Sequence, residues 1–514
     1  MRKTPLPPKT KILERNKRME KIPLKTMFKN TLQNLLLPKT ILYGVLILSP
    51  WLFGSVEPWS KQLLFFLILL AFILWVAKKK EEKIWLFPGF VAGSCFLFYL
   101  LLQVIPLPSE LVSFLSPGRL EIAKKVSSFL SLPPGKEYPS VLCLSLNPKE
   151  TYFYLLEWSG LALYGFLLFQ LLSSRKEISS LILIMVINGL ALTLFGVVQR
   201  ATFNGKLYWV RELTQGGDPF GPYVLRTHMG GLLLLIVPLG LGYLFWQYSL
   251  SQEGFLSLAG LKDKDFFKKH LYLFFLLVIS TGVLMSKSRG AIGSFLLSLF
   301  LLMGFIAWGE KGNKRLSLFL FAFIFSAVLF TLWLASDLFL GTTERLIQTS
   351  VNEEARGEIW KEAMKLWKLF PLTGVGFGAF EDAFGMVRTV FPGPHRVAHA
   401  ESDFIELLVE GGILGALPVI FFLARMIGVN GLKIQAMDDQ GRKLAFGALC
   451  SFVGGLFQGV ANFNMALMAN MLYLLTAAVI LSKVVVLGQK KEGSFVEKKS
   501  FLERKLSTLF RPSP

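Results

Sequence analysis

Residues 397–415 read VAHAESDFIELLVEGGILG. Most of the stretch opens an apolar helix, yet its head, His399-Ala400-Glu401-Ser402-Asp403, is among the most polar runs in a very apolar chain. A histidine and two carboxylates so close together can move protons. An imidazole titrates near neutrality, and a carboxyl raised by burial can act as a general base. Arginine is the other recurrent chemical type. Arg200, Arg226, Arg289 and Arg356 each stand at the end of an apolar block or at the head of a loop helix, and His228 follows Arg226 by two residues. Several arginines on one face suit a phosphate or diphosphate, which a planar guanidinium grips through paired N–H donors. Each residue also has a plainer reading. Arg200 reads equally as a side chain snorkelling to headgroups, and His228 equally as a satisfied helix-end histidine. Asp403 reads first as the N-terminal cap of the helix it precedes.

The elements that must position these groups are membrane spans. Of 514 residues 53% are hydrophobic and 17% charged, against about 25% charged in soluble chains, and mean hydropathy is +0.53. The apolar residues come in blocks of roughly 20, the length that crosses the hydrocarbon layer as helix. The fold class expected is an all-α polytopic membrane protein of about 12 transmembrane helices. The blocks lie near 40–57, 60–77, 84–105, 151–172, 178–199, 227–247, 271–287, 289–308, 316–340, 405–427, 443–461 and 465–487. Pro238 and Pro418 veto neither of their spans, because membrane helices tolerate proline. The first 40 residues are polar and basic without a short apolar core, so no cleavable signal is expected.

Net charge of +21 raises nucleic acid as a partner, but the bases sit in short runs between spans, such as Lys78-Lys79-Lys80, Lys268-Lys269 and Arg442-Lys443. That is a positive-inside pattern with attraction to anionic membrane lipids, and no nucleic-acid partner is expected. With the basic N-terminus inside, alternation places both termini in the cytoplasm. It puts 106–150, 200–226, the turn around Ser286–Gly290 and 341–404 on the outer face. Arg289 is then on the side where the charge rule disfavours it, among small residues in SKSRGAIGS. The organisation expected is a basic tail 1–38, N-terminal spans 39–199, central spans with arginine-bearing turns 200–340, a large outer loop 341–404, C-terminal spans 405–488 and a tail 489–514.

Within the outer loop, Ile359, Trp360, Ala363, Met364, Trp367 and Phe370 recur at helical spacing, and Pro371 stops the run. They predict an amphipathic helix lying across the bundle or the interface. GVGFG at 374–378 follows a helix rather than a strand, so it reads as a tight turn with close backbone packing, not a nucleotide loop. Cys95, Cys143 and Cys450 support no disulfide framework. Glu157 and Asp337 are left without a role.

In this order the segments resemble the O-antigen ligase and O-antigen polymerase family of bacterial envelope glycosyltransferases, from roughly residue 190 to 480. VVQRATFNGKLYW, DPFGPYVLRTHMGG with Arg226 and His228, MSKSRGAIGSFL with Arg289, and ARGEIWKEAMKLWKLFPLTGVGFGAF with Arg356 carry the similarity. The family's signature is a histidine, then Asn, Ser or Gln, nine residues, glycine, two residues, glycine. Gly412 and Gly415 take the glycine places and Ser402 the second position, but Glu401 stands where the family has histidine. His399 occupies the place of a second histidine carried by some members.

The resemblance implies a transferase in the bacterial inner membrane with its active site on the periplasmic face. Its donor would be a polyprenyl-diphosphate-linked glycan and its acceptor the lipid A–core or another glycan acceptor, with inversion at the anomeric carbon. Glu401 is favoured as base with His399 supporting it. Arg226, Arg289, Arg356 and Arg200 would neutralise the diphosphate, so that no metal and no cofactor is expected. The same fold admits an exopolysaccharide polymerase or a protein O-oligosaccharyltransferase. A transporter or a non-catalytic envelope scaffold is the reading from another class.

Overall fold

The computed structural model describes residues 37–78, 84–129, 138–213, 217–250, 264–309, 322–323, 325–326, 329, 342–389 and 397–509. Helices dominate. Eight are long and apolar enough to cross a membrane, and two shorter apolar helices accompany them among the described residues. The chain is a multi-pass all-α membrane protein.

In chain order the first part comprises α1 (Pro38–Trp51), α2 (Pro58–Lys78), α3 (Phe90–Val104), α4 (Ser109–Leu115), α5 (Pro117–Ser127), α6 (Pro148–Leu171) and α7 (Arg175–Ala201). The centre holds α8 (Arg226–Leu250), α9 (Lys264–Met285) and α10 (Arg289–Gly309). The last part comprises α11 (Thr342–Leu369), α12 (Phe380–Phe384), α13 (Asp403–Ala424), α14 (Asn430–Gln435), α15 (Asp439–Val460) and α16 (Met468–Leu509). Two antiparallel two-residue ladders decorate the loops, β1 (Leu107–Pro108) with β2 (Val141–Leu142) and β3 (Lys206–Leu207) with β4 (Arg211–Glu212).

Most expected spans coincide with helices. The first is shorter than 40–57: α1 ends at Trp51, and Gly54 then turns with φ of 68°. A Cβ there would lie 2.5 Å from the Tyr223 ring, so the chain tucks against another segment instead of continuing as helix. The tenth is longer than 405–427, because α13 passes through a π-helical turn at Arg425–Val429 into α14. Pro238 and Pro418 lie inside α8 and α13. The ninth, 316–340, falls outside the described residues except at a few positions, and Asp337 with it.

Helix α8 is the axis of the bundle. Its span is 94% buried, whereas that of α2 is 22% buried and faces outward along most of its length. Small residues make this possible: a Cβ on Gly242 would stand 2.7 Å from the Gly447 Cα, so α8 and α15 touch backbone to backbone. Lipid tails are as apolar as leucine, so close van der Waals packing of this kind, rather than water exclusion, holds membrane helices together.

The polar segments gather at one end of the bundle. The Tyr208 hydroxyl donates to the Trp51 carbonyl at 2.7 Å, joining the α7–α8 connection to the end of α1. Gly230 of α8 packs on Ser286 in the α9–α10 turn and on Ala291 in the first turn of α10. Asp403, first residue of α13, accepts the Met465 amide from the α15–α16 connection at 3.0 Å. Helix α11 lies against α13 at this same end. Of its expected apolar face, Ile359, Ala363 and Phe370 are buried, while Trp360, Met364 and Trp367 are half-buried. Glu362 is buried among them, and its Oε1 accepts the Thr389 amide at 2.7 Å.

Candidate functional site at the mouth of α13

The lip forms where the loop 397–402 enters α13. Ser402 occupies the N-cap position without a side-chain cap, and its hydroxyl reaches the Gly459 carbonyl at 3.5 Å instead. Asp403 is not the cap either. It sits one residue inside the helix, and both its oxygens take the Met465 amide, so it fastens α13 to the α15–α16 connection. Glu401 has φ of 55°, a left-handed conformation uncommon for a residue with a side chain and sustained only where the surroundings enforce it. It pairs with Arg356 of α11, Nε to Oε2 at 3.3 Å.

His399 is held from two sides. Its Nδ1 lies 2.9 Å from Glu406 Oε1, and its ring stacks on Phe463 at a centroid distance of 4.3 Å and 15° between planes. Glu406, one turn into α13, also accepts the Ala400 amide at 2.9 Å through Oε2. His228 also meets the Phe463 ring, edge-on with centroids 4.7 Å apart. It is buried, and its Nδ1 has no hydrogen-bond partner among the described residues. A buried amide chain lies behind it. The Asn470 amide donates to the His228 carbonyl and to Asn464, Asn464 donates to Gln458, and Gln458 donates to the Thr227 carbonyl.

The electrostatics follow from this packing. Burial by itself pulls the His399 imidazole down. The charge and hydrogen bond of Glu406 oppose it, helped by Glu410 and Glu401, and the balance holds His399 above its ordinary value. Burial raises the Glu401 carboxyl, the neighbouring Arg356 and His399 charges work against it, and it too ends above its ordinary value.

The arginines are distributed rather than pooled. Arg200 and Arg226 converge on Asp218, the first at 2.7 Å, and the Arg226 amide also donates to the Asp218 carbonyl at 2.8 Å. Arg356 meets Glu401 instead. Arg289 is exposed as the first residue of α10, on the turn that packs against Gly230, two residues from His228. Glu157, left without a role by sequence, pairs with Lys61 at 2.8 Å.

Beneath the lip, α13 is interrupted. Gly412 has φ of 59° and ψ of −165°, and a Cβ there would lie 2.4 Å from the Leu372 carbonyl oxygen. The break admits the 374–378 turn, whose glycines at 374, 376 and 378 all have positive φ. Backbone amides of Val375 and Gly376 donate to the carbonyls of Val409 and Glu410 at 2.9 and 3.0 Å. The buried Glu410 carboxylate takes those of Gly378 and Phe380 at 2.9 and 3.1 Å. Gln103 of α3 clamps the same place, donating to the Thr373 and Glu410 carbonyls. A Cβ on Gly415 would lie 2.8 Å from the Tyr99 ring. The two signature glycines thus serve the packing of α13.

An apolar cavity of about 620 Å³ runs below this point between α3, α6, α13 and their neighbours. Phe72, Trp158, Phe377 and Phe422 line its body, and Asp403 and Glu406 stand at its polar end. Sequence reading passed over Glu406, Glu410, Phe463 and Asp218. Glu406 and Glu410 follow Asp403 at three and seven residues, a helical spacing that could have put all three acids on one face of α13. Phe463 carried no local signal at all.

Residues 273–420 match the family described as O-Antigen ligase. The matched segment includes Arg289, Arg356, His399, Glu401, Glu406 and both signature glycines, and stops short of Arg200, Arg226 and His228 on its N-terminal side. No curated protein matches the chain.

Proposed function

Starting from a membrane protein that carries an O-antigen ligase family segment, we propose that it transfers a glycan from a polyprenyl-diphosphate carrier to an acceptor hydroxyl at the outer, periplasmic end of its bundle. The observation that carries this is the His399 imidazole, held by Glu406 at the polar end of an apolar cavity, with Arg356 paired to the neighbouring Glu401. The cavity has the size and lining for part of an isoprenoid chain. The acceptor is the lipid A–core, and the membrane is the bacterial inner membrane with both termini in the cytoplasm.

In the reaction the acceptor oxygen attacks the anomeric carbon from the side opposite the diphosphate. The new glycosidic C–O bond forms as the old one breaks, the electron pair leaves with the lipid diphosphate, and the anomeric configuration inverts. His399 takes the acceptor's proton. It is favoured over Glu401 because the Glu401 carboxylate is already engaged by Arg356. Arg289 and Arg226 meet the charge that develops on the leaving diphosphate, a role in which one fixed donor is worth about 10²–10³ in rate. Arg356 joins them from the lip, and Arg200 keeps Asp218 and Arg226 in place.

The test is purified protein in liposomes with a polyprenyl-diphosphate glycan and lipid A–core. Glycan transfer, release of free lipid diphosphate and the anomeric configuration of the product are followed together. The expected result is an inverted product with one lipid diphosphate released per glycan moved, both lost in Arg289→Ala. Release without a lipid A–core product would replace the acceptor and keep the chemistry. No release from any lipid-diphosphate donor would sink the reading.

A further inference from the structure

We propose that Glu406 is the positioning residue for His399, fixing the imidazole in the tautomer that leaves Nε2 free to take a proton from the acceptor. The inference rests on the base role given to His399 above. Glu406 places Oε1 2.9 Å from His399 Nδ1 and Oε2 2.9 Å from the Ala400 amide. A carboxylate has no hydrogen to give, so the hydrogen of the first contact belongs to Nδ1 and the free lone pair to Nε2. Both oxygens are committed to successive parts of one loop, so the carboxylate cannot swing without dropping one donor.

Two further features point the same way. Glu406 is buried within the first turn of α13, where the helix dipole favours a negative charge. Phe463 lies parallel to the imidazole at 4.3 Å and limits its rotation. The helix does not need this carboxylate for closure, because the Glu406 amide already donates to the Ser402 carbonyl at 3.0 Å.

The groups facing His399 are Glu406 and Glu410 from α13, Glu401 from its own loop with its partner Arg356 of α11, and His228 of α8, which shares the contact with Phe463. Asp403 stands one turn before Glu406, turned to the Met465 amide. Glu406 is the one of these shown in hydrogen-bond contact with the ring.

The decisive variant is Glu406→Gln. An amide offers one acceptor to two donors, so it either abandons the Ala400 amide or turns its NH₂ to Nδ1 and reverses the tautomer. The expected outcome is a kcat lower by roughly 10²-fold or more with KM little changed. Glu406→Asp should recover part of the loss. The acid limb of the pH–rate profile should move to lower pH, since the charge that raises His399 has gone. A purely structural role would reduce the folded fraction and leave the limb where it was.

A second readout needs no transfer. The chain has four histidines, so ¹⁵N-histidine spectra of protein in nanodiscs, assigned with His399→Gln, report the ring tautomer directly. Wild type should show His399 protonated on Nδ1, and Glu406→Gln should lose that preference. If wild type moves no glycan while the tautomer responds to Glu406, the glycosyltransferase reading falls and the coupling stands. An unmoved acid limb together with an unchanged tautomer would overturn the proposal.

Discussion

At the scale of single residues the lip separates two groups between which the sequence reading favours Glu401 as base, with His399 in support. Glu401 and His399 both lie above their ordinary values, but their partners differ. Glu401 faces a guanidinium, and His399 faces a carboxylate that leaves one ring nitrogen open. His399→Ala should therefore lower the transfer rate by about 10²–10⁴. Glu401→Gln, which removes a half-exposed ion pair worth about 0.2–1 kcal/mol, should lower it less than tenfold. Steady-state rates in proteoliposomes decide between them, and the reverse order would return the base role to Glu401. The pH dependence has a definite sign. Only the neutral imidazole accepts a proton, so the rate should climb as pH rises through a His399 value above about 6.5 and be suppressed below it. Any stability drawn from the His399–Glu406 pair runs the other way: it is fully present below the ordinary histidine value and lost as pH rises through the folded one.

At the scale of elements, the glycine pair in α13 and the GVGFG turn form one joint. Gly412 takes a conformation essentially reserved for glycine, and its break lets the turn place its amides on the 409–410 carbonyls and the Glu410 carboxylate. Gly412→Ala should destabilise the protein by at least about 1–3 kcal/mol through backbone strain, with the backbone contact at 2.4 Å adding to it. Thermal unfolding in detergent measures this. Gly415→Ala, which meets a Tyr99 ring atom rather than backbone, should be milder because a side chain can shift. Equal effects of the two would mean that the break in α13 is dispensable. The motif's spacing was legible in sequence because it is local. Its purpose was not, because the partner of Gly412 lies some forty residues earlier in the chain, at Leu372.

At the scale of the whole molecule, the site end must face the periplasm if the proposed donor is to reach it. In a background lacking Cys95, Cys143 and Cys450, a membrane-impermeant maleimide added to spheroplasts should label Val210→Cys, which is exposed at the site end. It should spare Gln435→Cys, exposed at the opposite end, until the membrane is permeabilised. The opposite pattern would invert the topology and remove the lipid-diphosphate reading. The sequence by itself determined the membrane class, most spans, the loop helix stopped by Pro371 and the polar head of α13. Each of these follows from hydrophobic length, helical periodicity or proline, and all act within a few tens of residues. Only the tertiary structure decided which groups meet: Asp218 with Arg200 and Arg226, Glu406 with His399, and Phe463 with both His399 and His228. The reason is physical. In a bundle whose helices alternate direction, residues far apart in sequence arrive at one end together, and their rotamers, not their spacing, select the partner.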